Sequence, residues 1–374
     1  MKICILSMQK VNNYGSVLQA FALKKIIEEL GHDVCFIDIE PRESDNSVVD
    51  NVLVFPNEQM FYWSNVSQRI KAAINKYFFI RLFHRFQIKY RDKLLSDFRY
   101  RYLNINEKDN DSIFDYCIIG SDEVFNALQR TYWGFTSQLF GQVKNAHNVI
   151  TYAACCGYTT VEKLNPKEMD IIREAFNNIS AFSVRDENTK IFVEKIALNK
   201  KIQINLDPAL LFDFAPFLKN INICLPHKYC LIYAYKNRIK DKHDIKVIQS
   251  FCKKNGMKIM IVGDDQFWNI SYRPFSPFEL IYAFSKAEFV ITDTFHGTVF
   301  SAKYAKKFAI VAKSSNGNKL NDLVKRLKLE KHLLDDYDDL PDKYVDLHDH
   351  DNIECIINKE RERMYNYFFD NLVK

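Results

Sequence analysis

The stretch KICILSMQKVNNYGSVLQAFALKKIIEELGHDVCFIDI, residues 2–39, carries the pattern that decides the fold. Its apolar run over 2–8 reads as a strand, and Val11-Asn12-Asn13-Tyr14-Gly15-Ser16 reads as a loop. Leu23, Ile26, Ile27 and Leu30 then recur at i, i+3, i+4 and i+7, one face of a helix, and Gly31 stands where a glycine ends one. A second strand pattern covers 34–39. Strand, helix, strand in this order is the unit from which parallel sheets are built.

The same alternation continues outward. Strands are expected over 116–120, 148–154, 181–184 and 202–206, and a second series over 229–235, 258–262, 288–292 and 308–312, with helical patterns between them. The reading is α/β, with two Rossmann-like domains facing a cleft. The boundary is placed near residue 220, in the Pro- and Asn-containing stretch Pro216–Pro226, giving an N-terminal domain over 1–220 and a C-terminal domain over 221–374 that includes a last helix. No internal repeat is visible.

Composition agrees with this and excludes several classes. A chain of 374 residues, 47% apolar and 26% charged, is globular, not disordered, and long enough for two domains. With 10 Gly and 9 Pro it is neither collagen-like nor low-complexity, and 30 Phe and 20 Tyr supply ample core material. The net charge of +5 is unevenly placed. Residues 69–101 hold ten Lys/Arg against Asp92 and Asp97, whereas 335–351 hold eight Asp and one Lys. A nucleic-acid partner is therefore not expected from overall charge, and the basic stretch has no reader motif. The nine cysteines form no CxxC pair and are expected as reduced, mostly buried thiols of a cytoplasmic protein. The first residues turn polar too soon for a secretory signal, and no apolar run reaches membrane-spanning length.

In open α/β sheets ligands bind beyond the carboxyl ends of strands. Polar clusters fall there repeatedly: Asn12-Asn13-Tyr14-Gly15-Ser16, Ser121-Asp122-Glu123, Cys155-Cys156-Gly157, Arg185-Asp186, and Asp293-Thr294-Phe295-His296-Gly297-Thr298. Together they make a cleft site the expectation.

Asn13-Tyr14-Gly15-Ser16-Val17-Leu18-Gln19-Ala20, Gly120-Ser121-Asp122, Tyr152-Ala153-Ala154, Ser183-Val184-Arg185, Leu206-Asp207-Pro208 and Phe295-His296-Gly297-Thr298 occur in an order that resembles the polysaccharide pyruvyl transferase family, over roughly residues 1–330. Where many relatives read Gly-Ser-Asp-Gln-Val-Trp-Asn, this chain has Gly120-Ser121-Asp122-Glu123-Val124-Phe125-Asn126, a departure that bears on the acceptor. The resemblance implies a GT-B-like fold and transfer of pyruvate from phosphoenolpyruvate to two sugar hydroxyls as a cyclic ketal. It also implies that Arg185 and His296 serve the donor.

Physical chemistry points the same way. A small molecule bearing phosphate and carboxylate needs fixed positive charge and N–H donors. Arg185 suits a bidentate grip, with Phe295, Gly297 and Thr298 as further donor-side candidates at a helix start. His296 is the candidate acid, and Asp122 the candidate base with Glu123 behind it. Asn13, Tyr14, Gly15, Glu123 and Asn126 are the acceptor-side candidates. No metal or cofactor is called for beyond phosphoenolpyruvate as co-substrate.

Simpler readings stand beside these. Asp122 can cap a following helix, Asn13 and Tyr14 can shape a turn, and Asp293 is expected to orient its loop. Cys155-Cys156 is read as buried, and His348-Asp349-His350-Asp351 as an acidic segment with only a superficial metal-ligand spacing. Over 69–101, Arg81, Arg85 and Lys89 share one helical face while Ile70, Ile74, Phe78 and Phe86 lie on another. This reads as an amphipathic helix packed on the N-terminal domain, or as a peripheral contact with an anionic membrane surface at the inner face. The sugar acceptor would then be polyprenyl-diphosphate-linked. Two other functions remain open: a nucleotide-sugar glycosyltransferase, for which Gly263-Asp264-Asp265 is the diphosphate-loop candidate, and a non-catalytic sugar-binding relative.

Overall fold

The computed structural model describes residues 1–40, 68–129, 131, 133–312, 317–345 and 348–372, without the side chains of 68–78, 317 and 318. Strands β1 (Lys2–Leu6), β2 (Asp33–Phe36), β3 (Phe114–Asp122), β4 (Ala146–Ala154), β5 (Ile179–Val184) and β6 (Ile202–Ile204) form one sheet in the order β2-β1-β3-β4-β5-β6. Strands β7 (Tyr229–Ala234), β8 (Lys258–Gly263), β9 (Phe289–Thr292), β10 (Phe308–Val311) and β11 (Leu333–Leu334) form a second in the order β11-β10-β9-β7-β8. Every pairing is parallel. Helices cover both faces, which is why strands such as β7 are buried along their whole length. The two Rossmann-like halves of a GT-B-like fold are present as expected. The chain leaves the first sheet at Ile204 and enters the second at Tyr229, either side of residue 220.

Strand order reverses between β1 and β3 in the first sheet and between β7 and β9 in the second. Crevices open beyond the carboxyl ends of such strands. The loops that follow these four strands, at Ser7–Asn13, Glu123, Tyr235 and Asp293, are therefore the ones that topology aims at a ligand.

The helix Tyr14–Glu29 begins inside the stretch expected to be loop, because the Asn13 side chain accepts from the Gly15 N–H at 2.8 Å and caps it. It ends where Gly31, at φ +84°, donates to Glu28 O. Most of its residues are buried, because it lies between the halves: the Phe21 ring meets Phe212, Phe214, Phe217 and Phe278 at 5.1–6.1 Å.

Two elements depart from the domain assignment read from sequence. The helix Gln68–Phe98 buries Ile80, His84, Arg91, Leu95 and Phe98, but Phe86, expected on the packing face, is 64% exposed. Ile70, Ile74 and Phe78 lie outside the described side chains. This helix packs on the second half as well as the first. Arg91 Nη1 donates to Gly263 O at 2.8 Å and to Asp264 Oδ1 at 3.2 Å, and His84 Nδ1 lies 3.4 Å from Asp265 Oδ2. The helix His350–Asn371, assigned to the second half, crosses back to the first sheet. There Tyr367 Oη donates to Thr151 O at 2.7 Å and Phe368 stacks on Tyr152. All nine cysteines are unbridged; Cys224 and Cys355 are exposed, Cys35 is half-buried and the rest are buried. Among the described residues no helix is long and apolar enough to cross a membrane.

Candidate active site

Strand β3 ends at Asp122, whose backbone is at φ +78°, a left-handed conformation that Asp tolerates better than most residues. Its Oδ2 accepts from the Ser16 hydroxyl at 2.6 Å, and its Oδ1 lies 3.8 Å from Arg185 Nη1. Arg185 follows β5 and is 2% exposed. Its backbone is fixed at both ends: the N–H donates to Ala154 O at 2.9 Å, and the carbonyl accepts from Arg326 Nη1 at 3.0 Å. The guanidinium lies over the Phe295 ring, 4.1 Å from the centroid, so a residue of the second half supports it.

Both Arg185 and His296 converge on Asp207. This carboxylate follows β6, is fully buried, and accepts from Ala209 N–H at 3.0 Å, Ser121 Oγ at 3.2 Å and Arg185 Nη1 at 3.0 Å. His296 Nε2 lies 3.4 Å away. Burial alone would raise the Asp207 carboxyl; the charges of His296 and Arg185 and the Ala209 N–H outweigh it and hold the group well below the usual carboxylate range. His296 sits in the first turn of the helix Phe295–Tyr304, capped by Thr294. The opposite side of its ring packs on Gly15, where a Cβ would lie 2.1 Å from Nδ1. Gly15 is thus required by His296 and not by its own turn. Arg185 Nε is buried with no hydrogen-bond partner, a donor that an anionic ligand would satisfy.

A cleft of about 410 Å³ opens on this group, lined among others by Asn13, Asp122, Glu123, Arg185, Phe295, His296 and Lys319. Glu123 and Lys319 form an ion pair that joins the two halves across it. Burial would raise the Glu123 carboxyl, but Lys319 and a hydrogen bond from Asn126 hold it below its ordinary range. Lys319 and Asp207 were not singled out from sequence as site residues. Asp207 stood in a quoted motif, where an Asp before Pro reads as a helix cap; Lys319 carried only the weak signal of following a strand end.

The polysaccharide pyruvyl transferase family model matches residues 13–315, most of the chain, including Asp122, Arg185, Asp207 and His296. The chain belongs to that family. It is a transferase of the kind that delivers pyruvate to polysaccharide. No curated protein matches it. Among solved structures it is similar to a UDP co-structure of S. aureus MnaA, with 11% identity over 100% of this chain and 97% of that one at TM-score 0.49. It is also similar to Arabidopsis thaliana UGT89C1 complexed with UDP-L-rhamnose, with 12% identity over 97% and 93% at TM-score 0.44.

Several expected site residues of this pyruvyl transferase do other work. Tyr14 is buried, and its Oη donates to Phe275 O at 2.6 Å while accepting from Phe275 N–H at 3.0 Å; it clamps the two halves together. Asn126 spends its side chain on Glu123 and Thr159, each at 2.8 Å. Asn13 caps its helix at the cleft edge. Gly297 and Thr298 do not offer the N–H groups expected of them: Gly297 N–H donates to Thr294 Oγ1 at 2.9 Å, and Thr298 gives both N–H and hydroxyl to Thr294 O at 3.0 Å. A Cβ at Gly297 would lie 2.0 Å from Thr292 Oγ1, so this glycine serves packing. No helix follows Asp122 for it to cap.

Asp293 orients its loop, accepting from Tyr235 N–H at 2.9 Å. The Cys155 thiol is pushed up by burial and by Asp186, to which it donates at 3.1 Å, so it is no nucleophile. His348 is engaged at both ring nitrogens, by Ala302 O at 2.7 Å and His332 Nε2 at 3.1 Å.

Proposed function

We propose that this pyruvyl transferase takes pyruvate from phosphoenolpyruvate and sets it on two hydroxyls of a sugar as a cyclic ketal, releasing phosphate. The observation that carries the reading is the convergence of Arg185 and His296, two residues that line the cleft from opposite halves of the chain, on Asp207 buried behind them. In this reading Arg185 grips an anionic group of the donor through the edge not taken by Asp207. His296 gives a proton to the enol methylene carbon, which makes C2 electrophilic. One sugar hydroxyl adds to C2 and the C–O bond to phosphate breaks; the second hydroxyl closes the ring. Of the two hydroxyl protons, one replaces the proton spent on carbon and one leaves on phosphate. Asp122, hydrogen-bonded to Ser16 at the cleft wall, is positioned to accept the first.

The glycosyltransferase reading loses support at Gly263-Asp264-Asp265. Arg91 occupies that strand end, and the crevice left beside it is only about 30 Å³, the scale of a water molecule and far below a nucleoside diphosphate. The non-catalytic reading would leave the convergence on Asp207 without a purpose.

The proposal places the enzyme in the cytoplasm, at the inner membrane face, with a surface polysaccharide or its polyprenyl-diphosphate-linked precursor as acceptor and an anionic membrane surface as partner of 69–101. The test is phosphate release from phosphoenolpyruvate across galactose-, glucose-, mannose- and N-acetylmannosamine-containing acceptors, with mass analysis of the product. Acceptor-dependent release with a product heavier by one pyruvyl ketal supports the reading. No phosphoenolpyruvate binding by calorimetry, with binding of a nucleotide sugar instead, overturns it.

A further inference from the structure

The outer face of the helix Gln68–Phe98 has a chemistry that the cleft does not explain. Its inner face is locked to the second half by Arg91, through Gly263 O and Asp264, and by the buried His84 beside Asp265 and Tyr272. The outer face is therefore held toward solvent and cannot roll inward. On it stand Leu82, Phe83, Phe86 and Tyr90, between 39% and 64% exposed. At 3.6 residues per turn these four fall within an arc of roughly 100°, a continuous apolar and aromatic stripe. Lys89 and Lys93, both exposed, line one edge of it.

We propose that this stripe is a docking surface for an anionic lipid bilayer. The Phe and Leu side chains enter the headgroup and acyl boundary, Tyr90 lies at the polar interface, and the flanking cations pair with anionic headgroups. Charge complementarity selects this occupant over a second copy of the chain. Two identical stripes would bring their own Lys89 and Lys93 together, and the four side chains expose roughly 400–500 Å², below the ~800 Å² per partner of a standard protein interface. The placement also serves the site. Arg91, on the far side of the same helix, lines the small crevice that His296 also lines, so a docked helix, about 10 Å across, turns the His296 side of the site toward the surface. That last consequence, delivery of a lipid-linked acceptor, rests on the function proposed above; binding to the bilayer does not.

The experiment is co-sedimentation of the full chain with phosphatidylcholine vesicles, with and without phosphatidylglycerol, in the absence of phosphoenolpyruvate and acceptor. Wild type is expected to pellet with the phosphatidylglycerol vesicles at low salt, to stay in solution with phosphatidylcholine alone, and to be released as salt rises. The double variants Phe83→Ser/Phe86→Ser and Lys89→Glu/Lys93→Glu are each expected to weaken binding about tenfold or more. Because all four positions are on the surface, melting curves should match wild type and confirm that both variants fold. No pelleting of wild type, or binding by both variants as tight as that of wild type, overturns the proposal. So does self-association of wild type that Phe83→Ser/Phe86→Ser abolishes, which would assign the stripe to a second copy. A chain that binds vesicles yet releases no phosphate with any acceptor refutes the proposed reaction and leaves the docking surface standing.

Discussion

The Nε2 atom of His296, in the second half of the chain, lies 3.4 Å from Oδ2 of Asp207, at the edge of the first sheet. The same oxygen accepts from Arg185 Nη1 at 3.0 Å. One carboxylate thus sets the position of a guanidinium and an imidazole that come from different halves of the chain. The arrangement depends on how the halves meet, because only their contact brings His296 to Asp207.

Asp207→Asn keeps the size of the side chain and removes its charge. Breaking a buried ion pair at one partner costs about 3–5 kcal/mol, so chemical denaturation should show a loss of that order. Phosphate release should fall further than stability accounts for, by about a hundredfold under conditions where the variant remains folded. Normal turnover by a folded Asp207→Asn protein would remove Asp207 from the site.

His296→Ala is expected to leave the fold intact and abolish acceptor-dependent phosphate release. Circular dichroism and the release assay check the two halves of the statement. Near-normal turnover in this variant would sink the assignment of His296 as the acid.

Gly15→Ala separates packing from helix propensity. An alanine in a helix is ordinarily favoured over glycine by about 0.5–1 kcal/mol. Here its Cβ would collide with the His296 ring at 2.1 Å. The expected result is a folded protein with turnover reduced about a hundredfold, since displacing a reacting group by an ångström has that scale of effect. Unchanged kinetics would show that His296 does not work from this position.

Tyr14→Phe should lower stability by about 1–3 kcal/mol, because it leaves the buried N–H and C=O of Phe275 without their partner. Its effect on the KM for acceptor should be small. A large rise in KM with unchanged stability would instead make Tyr14 an acceptor contact, as first read from sequence.

The Glu123–Lys319 pair gives a pH dependence of known sign. The Glu123 carboxyl is held below its unfolded value, so its contribution is fully present above the ordinary carboxylate pKa, about 4.3. It is lost as pH falls through the lower folded value. Melting temperature should therefore drop on acidification below about pH 4.3, and this component should vanish in Lys319→Met, which at neutral pH should cost about 1–3 kcal/mol. An identical acid limb in both proteins would contradict the assignment.

Most strands of the two sheets were legible because each is a short, nearly unbroken apolar run, the mark of a strand buried on both faces. Only β11, two residues long, left no readable pattern. The start of the helix Tyr14–Glu29 was misread because Asn-Asn-Tyr-Gly-Ser looks like a turn, whereas Asn13 uses its side chain to begin a helix there. Phe86 was misplaced for a different reason. Helical periodicity says which residues share a face but not which face meets the protein, and here the buried one carries His84 and Arg91.

For the candidate site the line falls in a similar place. Local sequence determined the α/β class, the positions of the strand ends, and the presence of Asp122, Arg185 and His296 among their loops, because burial and periodicity act between near neighbours. What only the tertiary structure decided is which of those loops face one another. Tyr14 became a clamp, and Asp207 and Lys319 members of the site, through contacts between residues about 90 to 260 positions apart, while Gly297 became a packing position against Thr292, Thr294 and Tyr233. Such partners are set by how the two sheets are brought together, and no local pattern records that.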